Sequence, residues 1–202
     1  MLGSLIILLF FIIGTLVGYY DILPFDLQNY DADKYTLYLL MFLVGISIGS
    51  NKQSLSIIKK INWKMVIIPL ITIVGTFLGV TVSALFISGI SIYDIWAIGA
   101  GHGYYSLSSI YISSIRGEAL GAIALLSNII RELFTLVFTP VLVRYFGKIA
   151  PISSGGATSM DTTLPIISKY SGSDYALISV FHGTVLTVLV PIIVTFFANL
   201  NS

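Results

Sequence analysis

Long stretches of this chain carry no charge at all: Leu2 to Tyr20, Tyr35 to Ser50, Met65 to Ile87 and Tyr175 to Leu200. A helix crosses the hydrocarbon layer of a bilayer with about 20 predominantly apolar residues. Three of these runs have about that length, and Tyr35 to Ser50 is a shorter one. Charged residues make up 9% of the chain, against about 25% in an ordinary soluble domain, so a fold wetted on all sides is excluded. No cysteine is present, which removes disulfides, thiolate metal sites and a catalytic Cys. A net charge of +1 leaves no basic surface for nucleic acid.

The expected fold is an all-α polytopic membrane protein, one transmembrane domain over residues 1–202, with five clear helices. Leu2 to Tyr20 reads as a retained helix: no Lys or Arg precedes it and it ends in Gly18, Tyr19 and Tyr20 without a small-x-small cleavage site. Ala119 to Phe146 is the fourth span, long enough to cross at a tilt, with Pro140 inside; Pro191 lies inside the last. Gly-x-x-x-Gly pairs at Gly14 and Gly18, Gly45 and Gly49, and Gly75 and Gly79 predict close helix packing.

Two further stretches are neither clean helices nor clean loops. Residues 95–113 are broken by Gly99, Gly101 and Gly103; residues 152–168 are rich in glycine, serine and threonine and end just past Pro165. Irregular backbone at membrane depth is tolerated only where protein encloses it or it lines a wet cavity, and paired broken segments point to a transporter's binding site. Each is either re-entrant or crosses, giving five or seven spans. The loop from Asn51 to Lys64 has four Lys and no acid, that from Asp21 to Lys34 four Asp and one Lys. The first is therefore expected in the cytoplasm, with the N-terminus inside and, for either odd count, the C-terminus outside.

Of the 10 cations and 9 anions, all but Arg131, Glu132 and Asp161 fall in connections between apolar runs or at the ends of those runs. A charge at mid-bilayer costs about 2.5–3.5 kcal/mol on insertion scales, so these three are functional candidates. Asn128, Arg131, Glu132 and Thr135 recur at helical spacing on one face: either a polar stripe along a translocation path, or a set in which Arg131 pairs with an acid elsewhere. Asp161, with Ser159 and Thr162 beside it, combines a carboxylate with hydroxyl and carbonyl oxygens, a ligand set for an ammonium group or an alkali cation. Its bland role is a helix cap. His102, Tyr105 and Ser106 in the first broken segment and His182 in the last helix complete the set, as proton relay or packing. Two histidines without a clear carboxylate partner make a weak metal site, so neither metal nor cofactor is expected. The one Gly-x-Ser-x-Gly string, Gly45 to Gly49, falls inside the apolar run Tyr35 to Ser50 and not at a strand-to-helix turn, so no enzyme is expected either.

The run Tyr35-Thr-Leu-Tyr-Leu-Leu-Met-Phe-Leu-Val-Gly-Ile-Ser-Ile-Gly49, the segment Gly101-His-Gly-Tyr-Tyr-Ser-Leu-Ser108, Arg131-Glu-Leu133 and above all Gly156-Ala-Thr-Ser-Met-Asp-Thr-Thr-Leu-Pro165 resemble the bacterial lysine exporter family LysO. The likeness runs from the first helix to His182-Gly183 and Pro191. It implies L-lysine efflux across the cytoplasmic (inner) membrane in exchange for protons, with the family's essential acid falling on Asp161. Longer members carry additional N-terminal helices with a further intramembrane acid, and in some an acid stands where this chain has Asn128. The resemblance thus implies a homo-oligomer or a separate small membrane subunit as partner. The alternatives are an antiporter or channel for an inorganic cation, and an accessory subunit that does not transport.

Overall fold

Every element among the described residues is helical. The computed structural model describes residues 63–200 without interruption, together with Leu9, residues 12–14 and 16–20, Tyr35, Leu39, Phe42 and Ile46. The first two expected spans therefore lie largely outside the described residues. Residues 1–36 form one unit, in which residues 12–14 and 16–19 are helical and the rings of Tyr19 and Tyr20 meet edge to face at 5.2 Å. Residues 37–202 form the second, and all that follows lies within it.

Three helices are long and apolar enough to cross a membrane: α1 (Trp63–Ala84), with its apolar part from Met65, α4 (Glu118–Phe146) and α7 (Asp174–Asn199). Their outer faces carry exposed Leu70, Leu78, Ile130, Val137 and Ile192, a pattern that lipid accommodates and water does not. Hydroxyls in these helices return to their own backbone: Thr72 donates to the Ile68 carbonyl, Thr81 to that of Phe77 and Thr139 to that of Thr135. α4 continues through Pro140 and α7 through Pro191. Gly75 and Gly79, expected at a close helix contact, have no described atom near where a Cβ would stand.

Between the long helices lie two hairpins of short ones. The first is α2 (Ile92–Gly99) and α3 (Tyr105–Arg116). The glycines predict the break between them, where His102 at φ 45° and Gly103 at φ 91° turn the chain through left-handed backbone. The hairpin is longer than the expected 95–113 at both ends, because Ser91 caps α2 through the Tyr93 amide and Asp94 and Arg116 are helical. Those two charges hold the ends together: Arg116 donates from Nε to Asp94 Oδ1 at 2.7 Å and from Nη2 to Oδ2 at 3.1 Å. The segment therefore departs from and returns to the same end of the bundle.

The second hairpin is α5 (Ala150–Gly155), a 3₁₀ turn (Gly156–Met160) and α6 (Leu164–Ser171). Pro151 and Pro165 open the two helices, where a missing N–H costs nothing. Its ends also meet, since the Lys148 ammonium just before α5 sits 5.5 Å from the ring of Tyr175 at the start of α7. The first hairpin leads directly into the start of α4 and the second follows its end, so they enter from opposite ends. Their tips touch about midway, where the Ala157 N–H donates to the His102 carbonyl at 2.8 Å. An apolar core of Ala97, Leu107, Ile112, Ala124, Val190 and Val194 binds the first hairpin to α4 and α7.

Candidate functional site

The polar face of α4 divides its work between the hairpins. Asn128 accepts from the Gly103 N–H through Oδ1 at 2.7 Å and donates through Nδ2 to the Ala124 carbonyl at 2.9 Å and to Ser108 Oγ at 3.3 Å. It stitches the tip of the first hairpin to α4, and Gly101 is small where a Cβ would strike the Asn128 amide and Ser108 Oγ. Arg131 holds the second hairpin: Nε donates to the Ser154 carbonyl at 2.9 Å and Nη2 to that of Ser153 at 3.0 Å. Both carbonyls close the last turn of α5, the end of a helix where a cation is favoured. Thr135 Oγ1 reaches Ser154 Oγ at 2.7 Å. Among the described residues Arg131 meets two backbone oxygens and the Thr76 hydroxyl rather than an acid.

Glu132 faces elsewhere. It lines a cavity of about 180 Å³ between the two tips, walled by Gly103, Tyr104, Tyr105 and Ser106 of the first hairpin, Thr158, Met160, Asp161 and Thr162 of the second, and Thr187 of α7. On the same measure one water needs only about 10–15 Å³, so a small organic molecule has room. Asp161 stands where the 3₁₀ turn ends. Its Oδ1 accepts from the Thr162 N–H at 2.5 Å and from the Thr162 hydroxyl at 3.3 Å, and its side chain is exposed toward the cavity.

Five sequence candidates are thus brought to one wall: Asp161, Glu132, Thr162, Tyr105 and Ser106. The others are not on it. Ser159 and His182 form a buried tie, with Ser159 Oγ 3.1 Å from His182 Nδ1 and Thr72 Oγ1 3.0 Å from His182 Nε2, linking the second tip to α1 and α7. His102 is fully buried, its ring edge-on to Phe77 with centroids 6.3 Å apart, and neither ring nitrogen has a partner among the described residues. No cluster of potential metal ligands occurs among them. Tyr104, Thr158, Met160 and Thr187 were not singled out from the sequence. Thr187, three residues after Thr184 in α7, left a faint signal; both hydroxyls approach Met160 Sδ.

Replacing Arg131 by Met should lower the melting temperature of the detergent-solubilised protein. Losing a donor to two enclosed carbonyls costs about 1–3 kcal/mol, and Arg131→Lys should restore part of it. Equal melting of wild type and R131M would remove the anchoring role.

The profile of the lysine exporter LysO family matches residues 8–198. The chain is 35% identical over 187 residues to "Lysine exporter LysO" of Escherichia coli (strain K12), covering 93% of this chain and 61% of that protein. It is 32% identical over 168 residues to "Putative lysine exporter" of Haemophilus influenzae (strain ATCC 51907 / DSM 11121 / KW20 / Rd), covering 83% and 85%. It thus spans about three fifths of the length of the first relative. No solved structure gives a significant match.

Proposed function

The chain belongs to the lysine exporter LysO family, and from that premise we propose that it exports L-lysine across the cytoplasmic membrane through the cavity between its hairpin tips. The observation that carries this reading is the convergence of Asp161 and Glu132 on one cavity where both broken segments meet. In the proposed cycle an ammonium group of lysine rests on the Asp161 carboxylate, with Tyr105, Ser106 and Thr162 around it. Asp161 releases the substrate outside as it takes up a proton and returns that proton inside. The lysine-rich loop before α1 favours a cytoplasmic Trp63 end. The second hairpin then enters from the cytoplasm, the first from outside, and α7 ends outside.

A homo-oligomer, or a complex with a small second membrane polypeptide, is part of the same reading. Purification in mild detergent tests it, since a monomer that transports lysine in liposomes needs neither partner. Transport itself is tested by counterflow of labelled lysine in proteoliposomes, with and without a pH gradient. We expect counterflow, and net movement that follows the proton gradient. Sodium movement without lysine movement would favour an inorganic-cation antiporter instead.

A further inference from the structure

We propose that this cavity recognises a short chain with an ammonium at each end and makes no use of a carboxylate, so that α,ω-diamines are substrates alongside dibasic amino acids. The proposal rests on reading the cavity as the transport site.

Glu132 is 8% exposed and lines the cavity, and the Thr162 hydroxyl on the same wall donates to Asp161 Oδ1 at 3.3 Å. An ionised carboxylate offers about four acceptor positions, and a buried one is stable only when a cation matches it. Asp161 uses one oxygen, Oδ1, on Thr162, and its exposed side chain lines the cavity. The wall therefore presents two separate carboxylates, from α4 and from the second hairpin, with the Tyr104 and Tyr105 rings beside them. Aromatic faces favour a cation further.

The carboxylate of an amino acid finds much less. The guanidinium nearest in sequence, Arg131, has Nε and Nη2 committed to the Ser154 and Ser153 carbonyls and turns Nη1 toward Thr76. The Thr158 hydroxyl donates to the Gly155 carbonyl at 2.9 Å, and that of Thr187 approaches Met160 Sδ. The described wall thus matches two ammonium groups with two carboxylates and offers a carboxylate no cation, only the neutral hydroxyls of Tyr104, Tyr105 and Ser106, those of Thr158, Thr162 and Thr187 being engaged elsewhere.

The test uses the full chain in proteoliposomes, with uptake of labelled lysine and of labelled 1,5-diaminopentane measured separately. Unlabelled 1,5-diaminopentane, 6-aminohexanoate and norleucine serve as competitors against lysine. The diamine should compete within about threefold of lysine, and the two compounds with a single ammonium should be weaker by roughly tenfold or more, the loss of about 1.4 kcal/mol. Glu132→Gln should weaken lysine and the diamine by the same factor; if that variant does not fold, the competition series on the unaltered chain decides alone. Lysine transport with a diamine at least about tenfold weaker would overturn the proposal while leaving lysine export standing. Diamine transport without lysine transport would overturn both, because the site would then reject the carboxylate, and movement of neither would overturn both as well.

Discussion

Asp161→Asn should abolish lysine export while leaving the protein folded. The two effects separate because Asp161 accepts from the Thr162 N–H and hydroxyl through one oxygen, Oδ1, and the amide oxygen of Asn accepts the same bonds. What disappears is the charge. Truncating or neutralising one partner of a desolvated charge pair costs about 2–5 kcal/mol, or more than about thirtyfold in binding. The variant also cannot carry a proton at that position. Counterflow in liposomes and lysine resistance in a strain without other exporters should both be lost, with the melting temperature unchanged. Retained resistance would sink the assignment, and it would leave Glu132 as the acid to examine in the same cavity.

Gly156→Ala is the second large effect, and it is conformational. Gly156 sits at φ 62°, ψ −128°, where a residue with a Cβ is strained by about 1–3 kcal/mol. That Cβ would also run into the His102 carbonyl of the opposite tip, the group that accepts from the Ala157 N–H. One methyl group thus strains the turn and pushes the two tips apart at their junction. We expect a lowered melting temperature in detergent and transport reduced to background, the second because the Asp161 side of the cavity hangs from this turn. An alanine variant that melts and transports like the wild type would show that the tips are not held in this contact. Gly183→Ala is a useful companion, since its Cβ would meet the Ala157 carbonyl and Met160 from the α7 side at 2.7 Å.

Much of this arrangement was legible in the residues because it depends on residue type. Charge-free runs predict α1 and α7 and a long apolar run with few charges predicts α4, and the glycines around His102 and at positions 155 and 156 predict breaks where the breaks occur. The helical spacing of Asn128, Arg131, Glu132 and Thr135 places three of them on the buried side. What the stripe does was not legible. Arg131 and Asn128 bind backbone carbonyls and an N–H, which every residue has and no pattern of side chains advertises. For the same reason the pairing of Asp94 with Arg116 could not be told from two loop charges, since it depends on the intervening chain folding back. His182 resembles a relay residue in the sequence, yet its two nitrogens are taken up by Ser159 and Thr72, a contact spanning α1 and α7 that local sequence does not encode.

The hairpin helices also bear on how such a chain is assembled. α2 has 8 residues and α5 has 6, roughly 12 and 9 Å at about 1.5 Å per residue, far short of the roughly 30 Å that a spanning segment must cover. Neither arm can cross on its own, and each hairpin is tied to α4, the first through Asn128 and the second through Arg131. Asn128 and Arg131 on α4, conversely, stay without their partners until the hairpins arrive. The cavity, walled by both tips, α4 and α7, is thus complete only once both hairpins have folded against the long helices.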